Sequence, residues 1–567
     1  MLSIRKIGVI GRTYRHLNRY SQILAIFFKY GFEDIVEQLK IDQYIEAGLQ
    51  MISKNKPFVR VGEKLTRAER VRMVFEELGP AFIKLGQILS TRSDLVPADF
   101  INELCQLQDQ VRPCNFKDVR KVLEKELAQP LGDCFDFFDE TPIASASIGQ
   151  VHRAKCRDGD VVAVKIQRPG IKDIIEVDLE IMLHLALLME RHIDEIALHR
   201  PVEIVEEFAR VIEKETDYTV EAINMERFAR QFLTDETVYI PKIVREMSTE
   251  LVITMEFVSG IKISEIRELE QAGLDRKLIN LHGTNFILRQ LFEYGFFHAD
   301  PHPGNICVLP DNTICLFDFG MVGSVDRRTR ENFVDLLESV VCRNELRAAQ
   351  ILLKLTSWEE EPDIRVLERE IAEFIGHHLY KPLKDTRMGR MLQKLMNITA
   401  RHRLRIPPDI FLMMKAFGTV EGISLLLDPD FNMVEHAAPF IEKVKLERFS
   451  PERLTDDALR GLRDMLHFIR QFPKDTLEIT RLIRQQKLAV KLEHQGLDSI
   501  LATHERISSK LSFSIIIAAL IIGSALIVVA HIPPLVYGIS LIGIILFSAA
   551  ALMGVWLLLA ILRKGGL

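Results

Sequence analysis

At 567 residues the chain is too long for one ordinary domain, and its 48% hydrophobic and 27% charged residues exclude wholesale disorder. A net charge of -6 with a pI near 6.3 carries no electrostatic footprint of nucleic-acid binding. Seven scattered cysteines without a C-x-x-C pair argue against a disulfide framework or a zinc ribbon and fit a reduced, cytosolic setting.

Residues 1 to about 60 read as helical. Basic Arg5, Lys6, Arg12, Arg15 and Arg19 precede an apolar patch at 23–28, and no acid appears before Glu33. Two readings stand side by side: a helix lying on an anionic membrane surface, or one docking on the body. No signal peptide is expected. Residues 66–104 form a helical stretch, with Pro80 marking one helix end and Ser93-Asp94 and Pro97 the other. Phe82, Leu85 and Leu89 share one helix face there; Lys84 and Gln87 share another.

Residues 135–167 are β-rich. Phe135-Asp136-Phe137-Phe138 is strand-like, residues 147–155 alternate, Asp158-Gly159 makes a turn, and 161–167 form a second run. The segment Ala144-Ser145-Ala146-Ser147-Ile148-Gly149-Gln150 has side chains small enough to let backbone N–H groups approach a phosphate, although only one glycine remains in it. Val162-Ala163-Val164-Lys165 matches the strand whose Lys contacts nucleotide phosphates and needs a Glu partner. A surface Lys at a strand end is the bland alternative. The upstream hairpin and a downstream Asp/Asn/Asp set weigh against it.

Residues 172–192 and 201–232 read as two helices holding four candidate partners for Lys165: Glu176 and Glu180 in the first, Glu215 and Glu221 in the second. The residues alone do not choose among them. Residues 251–258 form an apolar strand entering a hinge, where backbone groups of Glu256 to Val258 would meet an adenine edge. Gly260 then lets the chain turn into a helical part reaching about Lys445.

The densest chemistry lies at 297–320: His298-Ala299-Asp300-Pro301-His302-Pro303-Gly304-Asn305, a hairpin turning at Pro310-Asp311-Asn312, then Asp318-Phe319-Gly320. The hairpin would return Asp318 beside Asn305. Asn and Asp oxygens suit Mg²⁺, and Asp300 suits the proton of an attacking hydroxyl, as phosphoryl transfer requires. H-x-D-x-x-x-x-N alone is weak; joined to D-F-G it is fairly strong.

Beyond Pro451 the chain is charged and helical to about Ser508, with Leu459, Leu462, Met465, Phe468, Ile469 and Phe472 on one face. That face suits packing on the body or a coupling arm to a membrane. Residues 511–532 and 535–562 are uncharged and each long enough to cross a bilayer. A reversal at His531-Ile532-Pro533-Pro534 joins them. Arg506, Lys510, Arg563 and Lys564 would keep both ends on the cytoplasmic side, while Ala519-x-x-x-Gly523 and Ala550-x-x-x-Gly554 offer small packing faces.

Together these residues resemble the UbiB family of atypical, protein-kinase-like ATPases associated with quinone biosynthesis. Lys84-Leu85-Gly86-Gln87 is similar to the family's K-x-G-Q signature, Glu215-Thr216-Asp217 to its E-x-D signature, and Ala144 to Gly149 to its alanine-rich loop. Val111-Arg112-Pro113-Cys114 departs slightly from the expected Pro-Pro, at no site residue. The resemblance implies an α+β, bilobal protein-kinase-like fold with an N-terminal helical K-x-G-Q extension and a C-terminal transmembrane helical hairpin. It divides the chain into an N-terminal helical segment (1–60), the extension (61–130), an N-lobe (131–260), a C-lobe (261–450), an amphipathic linker (451–508) and the hairpin (509–567).

The resemblance also implies ATP and Mg²⁺, with Glu221 pairing Lys165 in preference to Glu176, and Lys84 meeting Glu215 over the cleft. Asp300, Asn305 and Asp318 take the catalytic and metal positions. The expected partners are membrane lipids, prenyl-quinone precursors and quinone-biosynthesis enzymes, at the inner face of the cytoplasmic membrane. ATP hydrolysis or small-molecule phosphorylation is favoured over a protein kinase and over a lipid-presenting nucleotide-binding scaffold.

Overall fold

The computed structural model describes residues 14–39, 65–90, 96–107, 112–193, 200–358, 362–378, 387–484, 497–530, 532–536 and 539–563. Arg5, Lys6, Arg12, Ser93, Asp94, Val111, His531 and Lys564 lie outside them. The chain divides into two compact units, Met1–Thr455 and Asp456–Leu567.

The first unit opens with α1 (Tyr14–Lys29) and α2 (Glu33–Gln38). The patch at 23–28 docks on the body. Ile23 and Leu24 are fully buried in a cluster with Leu78, Phe82, Ile175 and Leu179. Burying such side chains stabilises by about 1.5–3 kcal/mol each. Arg19 fixes the orientation: its guanidinium forks onto the buried Asp178 carboxylate at 2.7 and 2.8 Å and reaches Leu78 O at 2.6 Å.

The stretch at 66–104 is three helices, α3 (Arg67–Leu78), α4 (Pro80–Leu89) and α5 (Ala98–Leu104). Thr66 and Glu69 form a reciprocal capping box at the start of α3. Gly79, at φ 98°, breaks the chain in a region that favours glycine, and Pro80 starts α4. Next come α6 (Phe116–Glu126) and the short α7 (Leu131–Cys134).

The first sheet contains β1 (Phe135–Phe138), β2 (Ala144–Ser145), β3 (Gly149–Cys156), β4 (Val161–Gln167) and, later in the chain, β6 (Val252–Glu256). Its order is β1-β3-β4-β6, with β2 also on β3. Val162, Val164 and Ile166 of β4 are buried against Val119 and Leu123 of α6 and Val252 of β6. Period-2 alternation sends Lys165 to the other face.

Helix α8 (Ile171–His192) follows. The single helix expected over 201–232 is two: α9 (Pro201–Glu215) and α10 (Tyr218–Gln231). Asp217 takes an extended conformation at the break. Its carboxylate accepts from Thr219 N (2.9 Å) as an N-cap, and Tyr218 N–H donates to Glu250 O (3.0 Å). A cap satisfied inside an apolar periodic run outweighs helix continuation there.

The part after the hinge carries β5 (Val238–Tyr239, ahead of β6), β7 (Ile261–Lys262), α11 (Ile266–Gln271), α12 (Arg276–Arg289), β8 (Phe296–His298), β9 (Ile306–Val308), β10 (Ile314–Leu316) and β11 (Val322–Ser324). β9 and β10 pair as the expected hairpin, Ile314 opposite Val308 and Leu316 opposite Ile306. β8 pairs with β11, His298 opposite Val322. Helices α13 (Arg327–Val341), α14 (Glu345–Leu355), α15 (Ile364–His378), α16 (Met388–Arg401), α17 (Pro408–Leu427) and α18 (Met433–Glu447) complete the core. α17 is apolar enough to span a membrane by composition, yet it is mostly buried in this core.

Helix α19 (Pro451–Arg484) leads into the second unit, and its predicted apolar face, Leu459, Leu462, Met465, Phe468, Ile469 and Phe472, is exposed. Helix α20 (Leu497–Val529) contains one membrane-length apolar stretch, Leu511–Val529. The reversal is longer than expected. Strands β12 (Leu535–Val536) and β13 (Ile539–Ser540) form a small hairpin, so α21 starts at Leu541 and ends at Arg563. The packing seam also differs from the expected small faces. Ala519 is exposed, and a Cβ added at Gly523 or Gly554 would meet nothing. The close approach is Gly543, where a Cβ would collide with Val528 and lie 3.3 Å from Ser524 O; of the expected faces, Ala550 is buried.

Candidate active site

Lys165 stands at the centre of the cleft. Its ammonium lies 2.8 Å from both Glu221 oxygens and 3.3 Å from Asp318 Oδ1. Among the four candidate acids, the geometry selects Glu221. Burial pulls Lys165 toward neutrality, but the carboxylates of Asp318 and Glu221 outweigh it and hold its pKa well above the ordinary lysine value. Burial pushes Glu221 up, with Lys165 partly offsetting it. The Lys165 ammonium, aided by Lys84 and against the cost of burial, holds Asp318 far below the usual carboxylate range. Lys165 thus sits between two carboxylates, Glu221 and Asp318.

Helix α10 supplies two supports from one face. Glu221 meets Lys165, and Asn224, three residues on, donates to Phe319 O at 3.0 Å. Phe319 is fully buried between Phe228 and His298, with ring centroids 5.1 and 5.7 Å away. Asp318 adopts φ 58°, a strained left-handed conformation that Asp tolerates better than most residues, and Gly320 N–H donates to its Oδ1 at 3.3 Å. His298 completes the frame. Its partners define its tautomer: Nε2 donates to Asp318 O (2.6 Å) and Nδ1 accepts from Asp300 N–H (3.1 Å), so the ring is neutral. Burial lowers its pKa in keeping with that.

Asn305 immediately precedes β9, and Phe317 N–H, one residue before Asp318, donates to its carbonyl at 2.8 Å. Its Nδ2 points to Asp300 O at 3.4 Å, leaving the amide oxygen for other use. Among the described residues no group of three His, Cys, Asp or Glu forms a metal cage. The Asn305 amide oxygen and the Asp318 carboxylate are hard oxygen donors of the kind Mg²⁺ takes, and they would hold it together with phosphate oxygens and water. Asp300 lies on the same loop, and its Oδ1 accepts from Lys415 Nζ at 2.9 Å. Burial would raise Asp300, and the Lys415 ammonium overrides it, keeping the carboxyl below its ordinary range.

The alanine-rich segment is partly strand: Ala144 and Ser145 pair with Val151 and Gln150. Gly149 has a packing role, since a Cβ there would collide with the Tyr218 hydroxyl and lie 2.8 Å from Ile166 O. Ser147 is buried with its Oγ lacking a hydrogen-bond partner. Arg168 braces this segment, donating to Ala146 O (2.8 Å) and Ser145 Oγ (2.9 Å), and its backbone N–H donates to Ile148 O (2.8 Å). At the hinge, Glu256 N–H donates to Lys242 O and Phe257 N–H to Val161 O, so the next N–H in line belongs to Val258. The Glu256 carboxylate accepts from the Tyr239 hydroxyl at 2.6 Å and serves the strand junction.

The two signature pairs divide. Lys84 forms an ion pair with Glu215, the last residue of α9, both side chains mostly shielded at 15% and 25% exposure. Gln87, placed by its spacing on the Lys84 face, instead donates to Leu107 O at 3.3 Å and ties α4 to the segment that follows α5. Asp217 is the α10 cap. Glu176, demoted by the resemblance, has no role beside Lys165. Sequence reasoning missed Asn224, Arg168, Tyr218 and Lys415. A basic residue inside the apolar run of α17 was the available signal for Lys415.

A strand lysine paired to a helical glutamate, a hinge, and an Asp/Asn/Asp set on a hairpin define a kinase-like domain of mixed helix and sheet. Family models place it more closely. The ABC1 atypical kinase-like domain matches residues 106–352, the UbiB helical domain 371–432, and the ABC1/UbiB kinase-like C-terminal domain 495–563. The chain belongs to the ABC1/UbiB family of atypical kinase-like proteins. It is 33% identical over 499 residues to "Uncharacterized protein in hydrogenase 1 5'region" of Clostridium pasteurianum, covering 88% of this chain and 94% of that one. To the "Probable protein kinase UbiB" of Aeromonas salmonicida it is 33% identical over 485 residues, 84% of this chain and 87% of that one. A solved chain, "The complex structure of Rv3197-erythromycin from Mycobacterium tuberculosis", aligns at TM-score 0.45 and 24% identity, over 68% of this chain and 95% of that one.

Proposed function

We propose that this protein is a membrane-anchored, Mg-ATP-dependent phosphoryl-transfer enzyme that serves ubiquinone or another prenyl-quinone pathway, with water or a small prenylated phenol as acceptor. The observation that carries the reading is the contact of one ammonium, Lys165, with both Glu221 and Asp318. It orients a phosphate-binding cation beside a metal-binding carboxylate. Mg²⁺, when bound, supplies charge neutralisation on the phosphate oxygens. In this reading Asn305 and Asp318 offer it oxygens, Lys165 holds the α- and β-phosphates, and the Glu256 to Val258 segment meets the base. Asp300 orients the attacking hydroxyl and receives its proton, while the new P–O bond forms and ADP leaves with the electrons of the old one.

The ion pair of Lys84 with Glu215 supports a small acceptor over a protein, because it pins α4 beside the Lys165–Asp318 cluster. The apolar α20 and α21 support anchoring, with the catalytic unit on the cytoplasmic side and the exposed face of α19 lying toward lipid. Asp318→Asn tests the nucleotide site. Mg-ATP should raise the unfolding temperature of the parent, since a ligand of the folded state stabilises it. The variant should lose most of that rise. An equal rise in both proteins would remove Asp318 from the site.

A further inference from the structure

The loop that carries Asp300 has no lysine or arginine of its own. Between Asp300 and Asn305 stand Pro301, His302, Pro303 and Gly304, and His302 is occupied locally, its Nδ1 accepting from Gly304 N–H at 2.9 Å. The cation that meets Asp300 arrives from 115 residues away, as Lys415 of α17. That helix lies within the region matched by the UbiB helical domain. Its sequence, PDIFLMMKAFGTVEGISLLL, holds Asp409, Lys415 and Glu421 as its only charged residues.

α17 is held on several sides, so the position of Lys415 is determined by packing rather than by a free side chain. Glu421 is buried and accepts from the N–H groups of Met388 and Gly389, both at 2.7 Å, at the start of α16. Gly389 and Gly418 bring the two helices together so closely that a Cβ on Gly389 would lie 2.7 Å from Gly418 Cα. Toward α12, Ser424 Oγ lies 3.0 Å from Thr284 Oγ1, and Asn280 Nδ2 donates to Ser424 O at 3.3 Å. The Lys415 side chain thus reaches Asp300 from a rigid element. An ion pair between mobile, fully solvated side chains would be weak and would position nothing.

We propose that Lys415 is the positioning residue of Asp300: it locks Oδ1 by a charge-assisted hydrogen bond and so presents Oδ2 to the attacking hydroxyl. The helical domain thereby contributes to the catalytic centre, in the place of a cation carried by the catalytic loop itself. This rests on the phosphoryl-transfer reading above. A misplaced catalytic group costs about a hundredfold in rate when it moves by about 1 Å, and Lys415 touches the reaction only through Asp300.

The test uses the full-length protein, with Lys415→Met, Lys415→Arg, Asp300→Asn and the Lys415→Met/Asp300→Asn double variant. ADP formation gives kcat and KM for ATP, and the Mg-ATP-induced rise in unfolding temperature reports binding independently. Lys415→Met should lower kcat by about tenfold to a hundredfold, with KM and the nucleotide-induced rise within about twofold of the parent. Lys415→Arg should recover most of the loss, and the double variant should be no slower than Asp300→Asn, because the two side chains act as one unit. Three results overturn the proposal: unchanged kcat in Lys415→Met, a parallel loss of nucleotide binding that Arg does not rescue, or additive losses in the double variant. A parent that binds Mg-ATP but forms no ADP, with or without prenylated phenol, overturns the phosphoryl-transfer reading itself.

Discussion

Removing the Glu221 charge is the perturbation whose size the structure defines best. Lys165 Nζ is 2.8 Å from both Glu221 oxygens, and the two side chains are only 18% and 4% exposed. With an effective dielectric constant of about 20, such a contact carries roughly 6 kcal/mol of Coulomb attraction, most of it offset by the desolvation of both ions. Breaking a buried pair by removing one partner costs about 3–5 kcal/mol. Two features bring Glu221→Gln to about 2–3 kcal/mol: the amide oxygen still accepts from Lys165, and Asp318 remains 3.3 Å away, though half exposed and screened. Lys165→Met leaves Glu221 buried beside Asp318. Because burial already raises its pKa, Glu221 can relieve that by binding a proton, so we predict a loss of about 3 kcal/mol.

The double variant should lose less than the sum of the two, by about 1–3 kcal/mol, as for any directly contacting pair. Denaturant unfolding of the four nucleotide-free proteins measures this cycle. Additive losses within about 0.5 kcal/mol would mean that the contact contributes no coupling, and the account of Lys165 as the centre of the cleft would fail.

Lys84 should matter for what reaches the cleft, since its ammonium pairs with Glu215 and helps to hold Asp318 ionised. We predict that Lys84→Met changes phosphate release or protein labelling from radiolabelled ATP, while the parent labels unrelated proteins little; brisk labelling by the parent refutes the reading of α4 as a cover. We also predict that the hairpin at 511–562 resists carbonate extraction, and that replacing Leu462, Phe468 and Phe472 of α19 by Asp weakens liposome binding of a chain ending near Ser508. Full release of the complete chain by carbonate would contradict the anchor, and unchanged liposome binding by the triple variant would contradict the lipid-facing role of α19.

Local signals were legible wherever they act over a few residues. Period-2 alternation marks β4 over the same residues as the sequence pattern, and Pro310-Asp311-Asn312 places the β9–β10 turn. The charge content and motif spacing of the sequence likewise identify the kinase-like site. Where two local preferences compete, the pattern misleads: periodicity runs through Thr216 and Asp217, but the Asp217 cap and the Tyr218 bond to Glu250 split the helix there. In the same way Gly149 looks like a phosphate-loop glycine until the hydroxyl of Tyr218 is found against it.

The sequence by itself therefore determined the elements, their chemistry and the family, because turn residues, apolar periodicity and motif spacing are short-range properties of the chain. The residues alone left four glutamates open for Lys165, the resemblance implied Glu221, and the structure brings those two together; only the tertiary structure decided that Gln87 bonds to Leu107 O, that Asp217 caps α10, and that Lys415 reaches Asp300 across 115 residues. Such pairings follow from how whole helices pack. A helix buries its apolar face wherever the summed core is best filled, and its few charged side chains must then find partners in the place where that packing leaves them.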